Sequence, residues 1–195
     1  MNIISTKNLI VGEKYISGIG EYFNSFDYAW DDVQGQVLKL ETKQTYNEAG
    51  NISFDELVKG NREKAMALLQ EARKEDEGLY SQLKDNNVDF IRCRPVILPL
   101  SEYLRWEIGC YDINSGYGEK IYFTSDLDLF QEFACHDFMV FDKLVGVVHD
   151  YNASGELLGG WIITNKQKIE ALIYLFSLIK ASAIDYKKFL KNIKV

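Results

Sequence analysis

Arg92 and Arg94, with Tyr103, Arg105, Glu107 and Glu119 following within a short span, are the side chains best suited to recognise a charged ligand. Arg92 and Arg94 alternate with Cys93, so an extended chain puts both on one face. A guanidinium pair of this kind can clasp a phosphate or a carboxylate through paired N–H groups. The same pair can instead be filled by Glu107, Glu119 or Asp142 in a buried ion network that fixes the local fold. Tyr103 and Glu107 are four residues apart, hence neighbours on a helix. With Arg105 they would form a pocket rim suited to a nucleotide or a peptide carboxylate, whereas Tyr103 and Trp106 can equally serve as core anchors. The expected ligand-binding set is therefore Arg92, Arg94, Tyr103, Arg105, Glu107 and Glu119.

A second group comprises His136, Asp137 and Asp142, with Asp150 further on. Carboxylates beside an imidazole can do general acid–base work or hold a divalent cation. Aspartates beside turns more often accept from backbone amides. His136, Asp137 and Asp142 are the catalytic candidates. Cys135 beside His136 suggests a nucleophile and its base, but successive strand residues face opposite sides, which opposes the pairing. Gly116-x-Gly118 precedes a strand and not a helix, so it offers no phosphate cradle. The three cysteines have no metal-type spacing. No metal and no cofactor are expected.

These residues need elements to hold them. Pro95 and Pro99, the only prolines, break the chain between a buried strand over Val88–Ile97 and a helix starting near Ser101. The aromatic-rich first thirty residues predict a short helix laid over the core, and Gln36–Tyr46 predicts a strand. Ser53 is the expected N-cap of a helix running to about Lys84 with a break at Gly60-Asn61. Its apolar face would carry Ala65, Leu68, Leu69, Ala72, Leu79 and Leu83. Asn114–Gly118 predicts a loop, Lys120–Thr124 a strand and Asp126–Glu132 a single turn. Phe138–Phe141 and Val145–Tyr151 predict a hairpin about Asp142-Lys143, followed by a strand over Leu157–Ile163. Asn165 would cap an apolar helix over Lys166–Ala183, with a basic helix last. The predicted class is α/β, with α+β as the alternative: one mixed sheet flanked by helices. The chain reads as a single domain over 1–195, with a helical N-terminal part (1–87) packed on an α/β core (88–195).

The bulk properties narrow the function. The chain has 195 residues, 47% of them apolar, and a net charge of −7 with pI near 5. That charge predicts no direct binding to nucleic acid and none to an anionic membrane. No secretory leader and no transmembrane run is read, and the odd cysteine count fits reduced thiols, so the expected place is the cytoplasm.

The order of motifs carries a resemblance. Leu40-Glu41 with Tyr46, Arg92-x-Arg94-x-Val96, Pro99-Leu100-Ser101-x-Tyr103-Leu104-Arg105-x-Glu107, Gly118-Glu119-x-Ile121, Asp137-Phe138-x-x-Phe141-Asp142 and Asp150-Tyr151 resemble the pattern of a bacterial family of unknown function. That family is often found near helix-turn-helix regulators. Its second half in turn resembles the phospholipase D-like fold, whose hallmark is His-x-Lys-x-x-x-x-Asp on a strand. With Asp142 in the motif's Asp place, Asp137 falls on the Lys and Cys135 on the His, while His136 is one residue out of register. The resemblance thus implies the fold with its phosphoryl-transfer site degenerate.

The function expected from these readings is a non-catalytic binding or regulatory module. Its partner would be a protein, plausibly a DNA-binding regulator through the family context, or a small anionic ligand. The alternative is a hydrolase or phosphodiesterase built around His136 and Asp137, so whether the chain is an enzyme stays open.

Overall fold

Alternating residues in the middle of the chain pair into one mixed sheet. The computed structural model describes residues 5–193. In chain order its elements are α1 (Thr6–Leu9), β1 (Lys14–Ser17), α2 (Ile19–Asn24), α3 (Tyr28–Asp32), β2 (Gln36–Leu40), α4 (Ile52–Val58), α5 (Arg62–Arg73) and, after a 3-10 turn at Lys74–Asp76, α6 (Glu77–Asp85). There follow β3 (Asp89–Pro95), α7 (Glu102–Tyr117), β4 (Lys120–Thr124), α8 (Asp128–Glu132), β5 (Phe138–Phe141), β6 (Val145–Tyr151), β7 (Leu157–Ile163), α9 (Lys166–Ala181), β8 (Ile184–Asp185) and α10 (Tyr186–Asn192). The sheet has eight strands in the order β1-β7-β6-β5-β2-β3-β4-β8. β2, β3 and β4 are parallel neighbours, and the other pairings are antiparallel. The α/β class is thus the observed one: a single mixed sheet with flanking helices.

Period-two alternation explains the layers. Leu38, Leu40, Cys93, Phe138, Val140 and Val148 point to one face, where they bury Ile169, Leu172, Leu175, Phe176 and Ile179 of α9. The other face changes character along its length. At one end Val37, Phe90, Phe141, Val145 and Val147 pack under Tyr22 of α2, Ala29 of α3 and Phe26 between them. Further along the same strands the same face carries Lys39, Arg92, Arg94, His149 and Tyr151, with Glu41 and Asp137 just beyond the paired residues. Backbone geometry permits the close cover at the edge. A Cβ on Gly159 would sit 2.1 Å from the Ile16 carbonyl oxygen, and one on Gly160 would sit 2.7 Å from the Tyr22 ring. Only glycine allows β1 and α2 to approach β7 this closely.

The elbow is a strand-to-helix turn, as its prolines predict. The Leu98–Pro99 peptide is cis, and Ser101 caps α7, its Oγ accepting from the Leu104 amide at 3.0 Å. Other local expectations are corrected. Asn51, and not Ser53, caps α4: its Oδ1 accepts from the Ser53 and Phe54 amides, which frees the Ser53 hydroxyl to donate to the Ala65 carbonyl. The helical stretch up to Lys84 breaks at Gly60 (φ 83°) as expected, but the turn after Arg73 redirects the chain a second time, so it is three helices. Asn114–Gly118 is not a loop. α7 runs through Tyr117 and stops at Gly118 in the left-handed conformation. The N-terminal part is also more than a helical cover: β2 lies between β5 and β3, and β1 forms one sheet edge.

Candidate functional site

At the ends of the parallel strands β2 and β3 the charged half of the sheet face opens into a cleft of about 400 Å³. This is where open α/β sheets commonly place ligands. The strands supply the floor and α7 one wall. The loop at Tyr46–Ala49, the β6–β7 turn at Gly155–Leu157, and Ile19 and Phe23 of α2 supply the rest.

Beneath the cleft lies an ion network centred on Glu41. Arg92 donates through Nη1 to Glu41 and through Nε to Glu119, the latter at 2.5 Å. Glu41 also accepts from Tyr111 at 2.6 Å and meets Arg94 at 3.3 Å and Lys39 at 3.1 Å. Arg94, fully buried, further donates to the Lys43 carbonyl. Glu119 accepts from Tyr80 at 2.6 Å and from Asn114 at 2.9 Å. Burial opposes the charge on Glu41, but Arg92, Lys39 and Arg94 outweigh it and hold its carboxyl well below the usual range.

A second set of bonds surrounds Asp137, which accepts from the Thr42 amide at 2.8 Å, the Thr42 hydroxyl, the Tyr46 hydroxyl and the Tyr151 hydroxyl at 3.1 Å. Burial pushes its carboxyl up in spite of the Thr42 and Tyr46 bonds. Next to it His149 shares a 2.9 Å hydrogen bond with the Tyr22 hydroxyl. Burial, with Lys39 adding to it, lowers the imidazole to about 3, so it is neutral at physiological pH.

The predicted ligand-binding residues divide in three. Arg92, Tyr103 and Glu107 line the cleft. Arg94 and Glu119 belong to the network beneath it. Arg105 lies half-buried on α7 and does not border the cleft. Of the two readings open for the arginine pair, a ligand clasp and an internal ion network, the arrangement is the ion network. Arg92 and Arg94 are spent on the chain's own carboxylates, and Glu41, Glu48, Glu107, Asp137 and Glu156 all line the cleft.

Of the catalytic candidates, His136 and Asp137 border one depression and Asp142 stands apart from them. Asp142, with φ 47°, accepts from the amides of Gln34, Gly35 and Gln36 at 2.7–2.9 Å and so fixes the start of β2. It stands at the opposite end of β5 from Asp137. His136 and Asp137 border a smaller depression of about 180 Å³ with Cys135, His149 and Asp150, and burial pushes the Cys135 thiol up to about 12. Among the described residues no group of three or more His, Cys, Asp and Glu is arranged to hold a metal ion.

Several cleft residues escaped the sequence reading: Lys39, Glu48, Asn114, His149 and Tyr151. The signal for some of them was present. The alternation that pairs Arg92 with Arg94 also pairs Lys39 with Glu41 and His149 with Tyr151, polar residues on a face otherwise apolar. Asn114 was hidden by the loop expected there, and Glu48 lies in an irregular segment.

The mixed sheet with its acidic, tyrosine-walled cleft defines an α/β protein with a ligand-sized hollow at its strand ends. In sequence, residues 24–191 match the domain of unknown function DUF6879, and the chain belongs to that family. No curated protein matches it in sequence. Among solved structures, it is similar to a chain of TrmBL2, an archaeal chromatin protein whose structure shows a novel mode of DNA binding, with 11% identity and a TM-score of 0.45. The match covers 90% of this chain and 54% of that one, so this chain spans about half the length of the structure it matches. The expectation of no direct nucleic-acid binding is corrected here. It stood on net charge alone, and the matched structure is of a protein described as binding DNA. No helix among the described residues is long and apolar enough to cross a membrane.

Proposed function

We propose that this chain is a binding module whose cleft takes a small organic molecule and leaves it chemically unchanged. The observation that carries the reading is the cleft's division of labour. Its hollow falls within the range of ligand pockets, roughly 300–1,000 Å³. Yet two of its candidate acid and base side chains are bonded to the protein's own groups: Asp137 to Thr42, Tyr46 and Tyr151, and His149 to Tyr22. A general base must reach the proton it removes, and these two are already engaged. The phospholipase D-like resemblance fits the same reading, because Cys135 and Asp137 stand where that motif has His and Lys. Free Cys93, Cys110 and Cys135 suit a reducing compartment, and we infer the cytoplasm.

The test is a thermal-shift screen of metabolite-sized neutral, cationic and anionic compounds, run on the wild type and on Leu157→Trp, which narrows the cleft from β7. At about one hundred times Kd, binding adds roughly 2.7 kcal/mol to stability. The expected result is a rise of Tm in the wild type, its loss in Leu157→Trp, and recovery of the compound unchanged by mass spectrometry. A stabilising compound that is consumed, or a panel with no stabilising compound, overturns the reading.

A further inference from the structure

We propose that the ligand of this cleft is a small organic cation carrying N–H donors, a primary ammonium or amidinium compound, seated against Glu107 and Asn114. The proposal rests on the binding reading above and names the ligand's chemistry.

In the cleft wall one buried acceptor, on Asn114, has no donor, and a second residue, Glu107, is short of donors. Glu107 on α7 is 7% exposed. Its Oε2 lies 3.2 Å from the Tyr103 hydroxyl, but that hydroxyl has one hydrogen and also meets Glu48 Oε1 at 2.6 Å, the shorter and better bond. Its Oε1 is 4.0 Å from Arg92 Nη1, beyond hydrogen-bonding reach, and the Arg92 Nη1 and Nε groups donate to Glu41 and Glu119. Asn114, two helical turns further along α7, is 2% exposed. Its Nδ2 donates to Glu119 at 2.9 Å, which fixes the amide's orientation, since a flipped amide would set its oxygen against the carboxylate. The Asn114 Oδ1 then has no partner among the described residues. Buried polar atoms are ordinarily satisfied, and an unpaired one costs about 1–3 kcal/mol. Both of these atoms accept, so the missing partner is a donor.

The surrounding charge decides between a neutral donor and a cation. Glu41, Glu48, Asp137 and Glu156 line the same hollow. Of the cationic side chains there, Lys39 and Arg92 face Glu41, and Arg73 on α5 donates through Nη1 to Asp76 at 2.7 Å, with its buried Nε left without a partner among the described residues; the lining acids still outnumber these cations. Burial, followed by the charges of Glu41 and Glu48, pushes the Glu107 carboxyl up to about 7 against the pull of Arg92 and Arg94. An anion would add to that repulsion, and a neutral donor would leave it standing; a cation removes it. The rings suit the same guest. Tyr46 packs against Tyr103 and Tyr151 at centroid distances of 5.6 and 5.3 Å, and aromatic walls attract cations. An organic cation also needs no metal-type ligand set.

Calorimetric titration with three four-carbon probes tests the assignment: putrescine, neutral 1,4-butanediol and anionic succinate. Each is titrated at pH 8 into the wild type, Glu107→Gln and Glu48→Gln. Glu107→Gln keeps the volume while removing a poorly compensated buried charge, and its fold is checked by circular dichroism and Tm. The expected result is putrescine binding that weakens at least tenfold in Glu107→Gln and less in Glu48→Gln, with no heat from the diol or succinate. Should Glu107→Gln not fold, an unchanged putrescine affinity in Glu48→Gln overturns the proposal by itself. Equal putrescine binding by Glu107→Gln overturns it too. If the diol or succinate binds as well as putrescine, the cation assignment fails while the cleft remains a binding site. If no probe binds and the thermal-shift panel is also silent, the binding reading falls with it.

Discussion

Glu41 shows how much of this site depends on one residue's surroundings. It accepts from two arginines and a tyrosine, and it meets Lys39 as well, so the positive charge that marks Arg92 and Arg94 in the sequence is spent internally. Removing one member of a buried ion group leaves its partners uncompensated, at a cost of about 3–5 kcal/mol. Arg94→Ala is expected to lose that much in urea denaturation, and an Arg94→Ala protein of unchanged stability would show that the arginine is not a structural member. Glu107 and His149 make opposite contributions to the pH dependence of stability. The folded carboxyl of Glu107 is raised from 4.5 to about 7, so the folded chain holds the extra proton and this contribution falls as pH rises through that window. The folded imidazole of His149 is lowered from 6.5 to about 3, so the unfolded chain takes up the proton first and stability falls as pH drops from about 6.5 toward 3. Between about pH 4.5 and 6.5 the two oppose each other. In Glu107→Gln the descending contribution is gone, so denaturation midpoints measured from pH 4.5 to 7 should rise with pH more steeply than in the wild type.

At the scale of elements, Asp142 ties the β5–β6 turn to the start of β2 through three backbone amides. Asp142→Ala frees those amides and places alanine at φ 47°, a conformation that Asp and Asn tolerate better. A loss of about 2 kcal/mol in chemical denaturation is expected, with Asp142→Asn retaining part of it. Equal stability of the alanine variant and the wild type would refute the strand-fixing role. This residue also shows what was legible. The hairpin, the elbow, the α9 helix and the mixed sheet follow from local signals: a turn pair, two prolines, an Asn cap and period-two alternation. The edge strands β1 and β8 do not, because Lys14–Ser17 and Ile184–Asp185 are short and have mixed polarity, and only pairing with β7 and β4 makes them strands. The expected site was half legible for the same reason. Tyr103 and Glu107 can be joined by helical spacing, whereas Glu41 reaches Arg92 and Arg94 across more than fifty positions of sequence. The sequence left a ligand clasp and an internal ion network both open, and it offered Glu119 but not Glu41 as a partner.

Across the whole molecule the cleft is assembled from segments remote in sequence. Ile19 and Phe23 come from α2, Tyr46–Ala49 from the loop after β2, Tyr103 to Asn114 from α7, and Gly155–Leu157 from the β6–β7 turn. These segments differ in how firmly they are held. α7 is fixed by the buried Trp106, whose indole donates to Ser53 at 2.9 Å, and by Tyr111 in the ion network. The loop and the turn meet through one backbone bond, Asn47 N–H to the Gly155 carbonyl at 3.0 Å. A ligand bridging the wall of α7 and this rim restrains the rim, since the wall is already rigid; local opening is cheapest where few buried contacts hold a segment. Hydrogen exchange with and without putrescine should therefore slow at residues 18–24, 45–51 and 152–157, remain unchanged in the interior of α9, and show no difference in Glu107→Gln. Slowing spread evenly over α9 and α10 would instead indicate binding outside the cleft.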